Sequence, residues 1–252
     1  MRPTISDPHS RFGPWDVPRF RRELFFIATY MGVPTMGFPE VCALSRMSPI
    51  GIERLVGTGI VVHPGLILTI AHAVKEPQFA VFPASSLASP PSPTNRHRLT
   101  KWAVVGNIGL LFLEREAVFT FGVPRLPTPS EYLAVKTVTG TIIGFGRRQD
   151  QGSVGEKLSG SQMRIADWPI TEPIGQATNH FYASGTSGNC TMDSGGPYFV
   201  ATGSGQVLMG VANRRPSNNT PFGCGPEGVY ARIDVELPGI RATALANGIV
   251  LA

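Results

Sequence analysis

From Glu40 onward, short apolar runs recur between turn residues, reading in order VCALS, LVGTGIVV, LILTIAHAV, FAVFPA, WAVV and IGLLFLE. Runs this short, punctuated by Gly, Pro, Ser and Asn, predict antiparallel strands of a barrel or sandwich. The polar, proline-rich stretch at residues 85–98, SSLASPPSPTNRHR, predicts an exposed loop. A second proline-rich connection, VPRLPTPSEY, precedes a new series: LAVKTVTGTIIGFG, MRIADWPI, PYFVA, QVLMGVAN and GVYARI. Two β units joined at that connection are therefore expected. The closing VELPGIRATALANGIVLA spaces its apolar residues as a helix does, and predicts a terminal helix packed on a barrel. Residues 1–26 are rich in Pro, Arg and aromatics without any period, and read as an N-terminal extension.

Composition agrees with many turns, since Gly and Pro number 29 and 23 in 252 residues. A chain of that length buries a core without metal or many disulfides. Its net charge of +5 is scattered, and the one dense basic stretch, Arg19 to Glu23, has no interleaved aromatic ladder, so no nucleic-acid partner is expected. Three cysteines allow at most one bridge. No Cys/His cluster has metal-ligand spacing, so neither metal nor other cofactor is expected. No apolar stretch is long enough to cross a membrane. LFFIATYMGV at residues 24–33 follows arginines as a signal segment does, yet it lies late, has Glu23 at its edge and lacks a clear cleavage site. It is read as part of the fold.

Nucleophilic serine chemistry needs a hydroxyl, an imidazole to take its proton, a group that orients the imidazole, and donors for the oxyanion. The sequence offers candidates in order: His72 at the end of the LILTIAHAV run, Asn107 before IGLLFLE, and Ser194 in TMDSGGP. Asp-Ser-Gly-Gly is also an ordinary turn sequence, and a lone His72 would be structural.

Taken together, LTIAHAV, NIGLL, GFG at residues 144–146, MDSGGP and GVYARI resemble, in order, motifs of the chymotrypsin-like (trypsin-like) serine peptidase family. The resemblance implies an all-β fold of two six-stranded antiparallel barrels with a C-terminal helix and a catalytic crevice between the barrels. On that pattern residues 27–252 form the peptidase domain: barrel one over about 27–123, barrel two over about 124–235, the helix over about 236–250. The first barrel would supply His72 and Asn107, the second Ser194. Backbone N–H groups of Met192 and Ser194 would bind the oxyanion. Gly188, Asn189, Arg214, Arg215 and Gly228 would form the substrate pocket. Cys190 and Cys224 would pair beside that pocket, leaving Cys42 a buried free thiol. Such a pair implies a secreted protein or another oxidising compartment.

The departures from the pattern matter as much. Asn107 stands where the family has a carboxylate, and an amide supplies no charge to stabilise the imidazolium. That replacement costs about 10⁴-fold in turnover elsewhere in the family. Asn213 replaces a serine and is expected to accept the Asn107 NH₂, turning the Asn107 carbonyl toward His72. Met192 replaces a glycine, and its side chain resists the glycine backbone angles, which is expected to turn its N–H away from the oxyanion. Asp193 in the family pairs with a new N-terminus made by cleavage. Ile27 falls at the matching place without the basic residue or the glycines, which leaves three options: cleavage after Phe26, another internal partner for Asp193, or no activation. The second and third are preferred. Gly188 puts no carboxylate on the pocket floor, so trypsin-like specificity is not expected, while Arg214 and Arg215 could hold acidic groups or obstruct the groove. The sequence thus points to a monomeric serine endopeptidase of attenuated activity acting on a polypeptide. The alternative is a catalytically silent pseudoprotease that binds a protein partner.

Overall fold

The computed structural model describes residues 33–35, 37–82, 95–119, 121–134, 139–146, 157–165, 179–203, 205–214 and 224–251. The N-terminal extension, Ile27 and Arg215 lie outside them.

A short strand β1 (Val33–Pro34) leads into β2 (Val41–Met47), β3 (Glu53–His63), β4 (Leu66–Ile70), β5 (Phe79–Val81), β6 (Arg96–Val105) and β7 (Ile108–Leu113). Strands β2 to β7 close an antiparallel barrel in the order β2-β3-β4-β7-β6-β5. The first series of apolar runs falls on these strands. Their alternation shows why the runs are continuous, because successive side chains point to opposite faces of a strand. Val41 and Ala43 of β2 join one buried cluster and Cys42 and Leu44 another; Ile108 and Leu110 of β7 join the first, Leu111 and Leu113 the second. Both faces of these strands are buried, so both must be apolar.

Arg96 to Arg98, expected in a loop, instead begin β6 and pair with β5. Cross-strand contacts hold them there: the Arg96 guanidinium lies 3.6 Å from the Phe79 ring centroid, and its Nε lies 3.4 Å from Glu53.

The proline-rich connection contains α1 (Pro129–Ala134), a six-residue helix. Thr128 and Glu131 form a reciprocal cap, with Thr128 N–H donating to Glu131 Oε2 at 2.8 Å and Glu131 N–H to Thr128 Oγ1 at 3.3 Å. Strands β8 (Thr139–Gly144), β9 (Leu158–Ile165), β10 (His180–Ser184), β11 (Pro197–Thr202), β12 (Gly205–Arg214) and β13 (Glu227–Arg232) follow.

Here the expectation of two six-stranded barrels is corrected. The second unit is a seven-stranded sheet, ordered β1-β9-β10-β13-β12-β11-β8 with β9 also paired to β8, and the barrel of β2 to β7 is the one closed barrel among the described residues. The physical reason lies at β9, where Leu158 and Ser159 pair with β1 while Met163 to Ile165 pair with β10. The N-terminal strand thus occupies part of an edge that a six-stranded ring would give to β10 alone. Lys157 reinforces the attachment: its carbonyl accepts from Thr35 N–H and its Nζ donates to the Phe38 carbonyl, both at 3.0 Å. Burial lowers the Lys157 pKa to about 8.

The chain ends in α2 (Ile233–Leu245), which starts earlier than the helical spacing predicts and buries Ile233, Leu237, Ile240 and Ala244 along one face. These residues share a cluster with Leu68 and Ile108 of the barrel and Phe199 and Val211 of the sheet. That common core fixes the two β units against each other.

Candidate active site

A cleft of about 590 Å³ is lined by residues of both units, among them His72, Asn189, Met192, Ser194, Asn213 and Arg214. His72 lies in a single 3₁₀ turn, Ala71–Ala73, directly after β4. The Ala71 N–H donates to the Asn107 carbonyl at 2.9 Å, so the turn before β7 holds the turn that carries His72. The imidazole reaches the surface of the cleft, and desolvation by the surrounding walls lowers its pKa below the ordinary value.

The segment carrying Ser194 is held from both sides. Thr58 N–H of β3 donates to the Ser194 carbonyl at 2.9 Å; Gly195 N–H donates to Ala212 O and Ala212 N–H to Gly196 O, each at 2.8 Å. Thr58 Oγ1 adds two links, donating to Met192 O and accepting from Phe145 N–H, both at 3.3 Å. Gly195 has φ +89°, and a Cβ there would overlap the Thr58 carbonyl and the Thr69 hydroxyl. The first glycine of the DSGG motif is required both by its backbone angle and by this close approach.

Met192 keeps a glycine-like conformation, at φ 78°. The side chain does not move the backbone out of the left-handed region; it accepts the strain of staying there. Neither Met192 N–H nor Ser194 N–H donates to another group among the described residues.

Asp193 is buried at 2% exposure, its Oδ1 accepting from Gly146 N–H at 2.8 Å and its Oδ2 from Cys190 N–H at 2.7 Å. These are the internal partners that the sequence left open. Burial raises its pKa to about 7, against the lowering effect of the two N–H donors.

Asn107 is half-buried in the β6–β7 turn and is not among the residues lining the cleft. No hydrogen bond among the described residues joins its side chain to His72, or His72 to Ser194. Asn213, expected to meet Asn107, lies elsewhere: its Nδ2 is 2.7 Å from His180 Nε2. His180 went unnoticed in the sequence because HFYAS is too short a run to separate from a loop, and its meeting with Asn213 depends on the β10–β13–β12 pairing.

Beneath the cleft, Cys190 and Cys224 form a disulfide, and Cys42 is a buried free thiol with its pKa pushed up to about 12 by burial. Gly188 packs against the Gly225 backbone, where a Cβ would overlap the carbonyl. Gly228 makes room for two neighbours, since a Cβ there would come within 2.7 Å of Asn189 Nδ2 and 2.8 Å of Tyr230 Oη. Gln162 was missed as well. Its Nε2 donates to Ser187 O at 3.0 Å and Pro226 O at 2.9 Å, which fixes its Oε1 to accept from the Tyr230 hydroxyl. Tyr230 Oη lies 3.1 Å from Asn189 Oδ1, and Asn189 Nδ2 is buried without a hydrogen-bond partner among the described residues.

A family model described as Trypsin matches residues 35–237. The chain belongs to the trypsin family. The match covers about four fifths of its length, from the strand-paired N-terminal segment into α2. No curated protein matches the chain. For this trypsin-family chain the disulfide is consistent with an oxidising environment. Among the described residues no helix is long and apolar enough to cross a membrane, and no group of His, Cys, Asp or Glu is arranged to hold a metal ion.

Proposed function

We propose that this trypsin-family chain is a secreted serine endopeptidase of attenuated activity, working through an acyl-enzyme. The observation that carries the reading is the cleft lined jointly by His72 and Ser194, beside two backbone N–H groups, of Met192 and Ser194, with no acceptor among the described residues. Ser194 Oγ attacks the scissile carbonyl, His72 takes the proton and returns it to the leaving amine, and the two N–H groups receive the oxyanion. Asn107 acts on His72 as a positioning residue, through its backbone carbonyl, which accepts from the Ala71 N–H beside His72. Without a carboxylate the imidazolium lacks a counter-charge, and attenuation follows. Gly188 leaves the pocket floor uncharged.

A second reading, a silent pseudoprotease that binds a protein, is favoured by the missing hydrogen bond between Asn107 and His72. A fluorophosphonate probe separates the two. Labelling of the intact chain that disappears in Ser194→Ala supports the endopeptidase; no labelling across pH 5 to 9 supports the binding protein.

A further inference from the structure

The side-chain amide of Asn189 is only half used. Asn189 is 5% exposed and lines the same cleft as His72 and Ser194, on a wall that continues through Cys190, Thr191 and Met192. Its Oδ1 lies 3.1 Å from Tyr230 Oη, while its Nδ2, with two protons to give, has no hydrogen-bond partner among the described residues. Leaving a buried polar atom in that state is costly, and native folds pair nearly all such atoms.

The neighbouring contacts show why the fold does not satisfy this amide. Gln162 Nε2 spends both protons on the carbonyls of Ser187 and Pro226, so Gln162 Oε1 takes the one proton of the Tyr230 hydroxyl. Tyr230 then has an oxygen, and no second proton, for Asn189. If the amide turned its NH₂ to Tyr230 Oη, its carbonyl would be left over in turn. One end of Asn189 is therefore unspent in either orientation. Gly228, where a Cβ would come within 2.7 Å of Nδ2, offers no side chain to meet it.

The group that completes this site both gives and accepts hydrogen bonds, and it carries no charge. Gly188, Cys190, Gly228 and Tyr230 around the amide bring no cation to neutralise a buried carboxylate. They bring no carboxylate for an ammonium either, and both oxygens of Asp193 are taken by the N–H groups of Gly146 and Cys190. A carboxamide meets each requirement: its carbonyl answers a free NH₂, and its NH₂ answers a free carbonyl.

We infer that Asn189 is a specificity-determining residue, which selects a substrate side chain ending in a carboxamide, Gln or Asn, beside the scissile bond. The inference rests on the endopeptidase reading for where the chain lies. It names the substrate class that reading leaves open.

The test is made on the full chain with Ser194→Ala, so that binding is read apart from cleavage. Fluorescein-labelled peptides identical except for one central residue, Gln, Asn, Glu, Met or Lys, are titrated by anisotropy. Glu and Met match Gln in length, and so isolate the amide. The tighter of the two carboxamide peptides is expected to bind about tenfold more tightly than the Glu, Met and Lys peptides, and to shift the side-chain NH₂ resonances of Asn189. Adding Asn189→Leu, which removes the amide at similar volume, is expected to abolish the preference over Met. Equal affinity across the series, absence of binding included, would overturn the inference, as would a carboxamide preference that survives Asn189→Leu. Should that variant melt without a cooperative transition, the peptide series and the Asn189 resonances decide alone. The outcomes separate from those of the fluorophosphonate experiment: selective binding without Ser194 labelling keeps the role of Asn189 and removes the endopeptidase, and labelling without selectivity does the reverse.

Discussion

Met192 shows how a single side chain taxes the site. A non-glycine residue at φ 78° carries about 1–2 kcal/mol of strain. Met192→Gly relieves it but enlarges the freedom of the unfolded chain by about 0.4–1 kcal/mol, so a net gain of up to about 1.5 kcal/mol is expected in denaturant unfolding. On the proposed mechanism Asn107 governs rate instead. Asn107→Asp is expected to raise kcat at least about tenfold, towards the 10⁴-fold that the opposite change costs, measured on a peptide ester. The pH profile gives an independent reading. In the proposed mechanism the neutral imidazole is the base, so activity is expected to rise with pH through the His72 pKa, and desolvation places that acid limb below the ordinary histidine value. A carboxylate at 107 favours the imidazolium, so the limb should move to higher pH in Asn107→Asp.

At the scale of elements, the site depends on strands that carry none of its chemistry. The Thr58 hydroxyl of β3 ties Met192 to Phe145, bridging the serine loop and the end of β8. Thr58→Val keeps the shape but leaves the Phe145 N–H and Met192 carbonyl unpartnered, at a cost of about 1–3 kcal/mol each where buried. Lower thermal stability together with slower Ser194 labelling is the expected outcome. The disulfide closes a separation of 34 residues between β11's approach and β13, and its removal by paired Cys→Ala changes should cost about 4 kcal/mol on chain-entropy grounds. Strand runs were legible because IGLLFL and LILTI are unbroken apolar segments buried on both faces. HFYAS and the Arg96 end of β6 were not. Their strand character comes from partners far away in the chain, β13 for one and β5 for the other.

For the whole molecule, Asp193 links the core to pH. Its pKa is raised from 3.8 to about 7, so the folded state holds a proton that the unfolded chain has released. The stabilising contribution is therefore complete below about pH 4 and is lost as pH rises towards 7. Asp193→Asn cannot titrate, and unfolding curves at several pH values should show the wild type losing stability relative to the variant across that window. The sequence by itself determined the order of the motifs and the apolar runs that form the strands, because both are written in residue type and local spacing, while the pairing of Cys190 with Cys224 came only from the family resemblance. Tertiary structure alone decided that β1 joins β9, that Asn213 meets His180 instead of Asn107, and that Tyr230 meets both Gln162 and Asn189. Those contacts join residues distant in sequence, and their geometry is set by how the barrel and the sheet pack about the shared core, which no local pattern encodes.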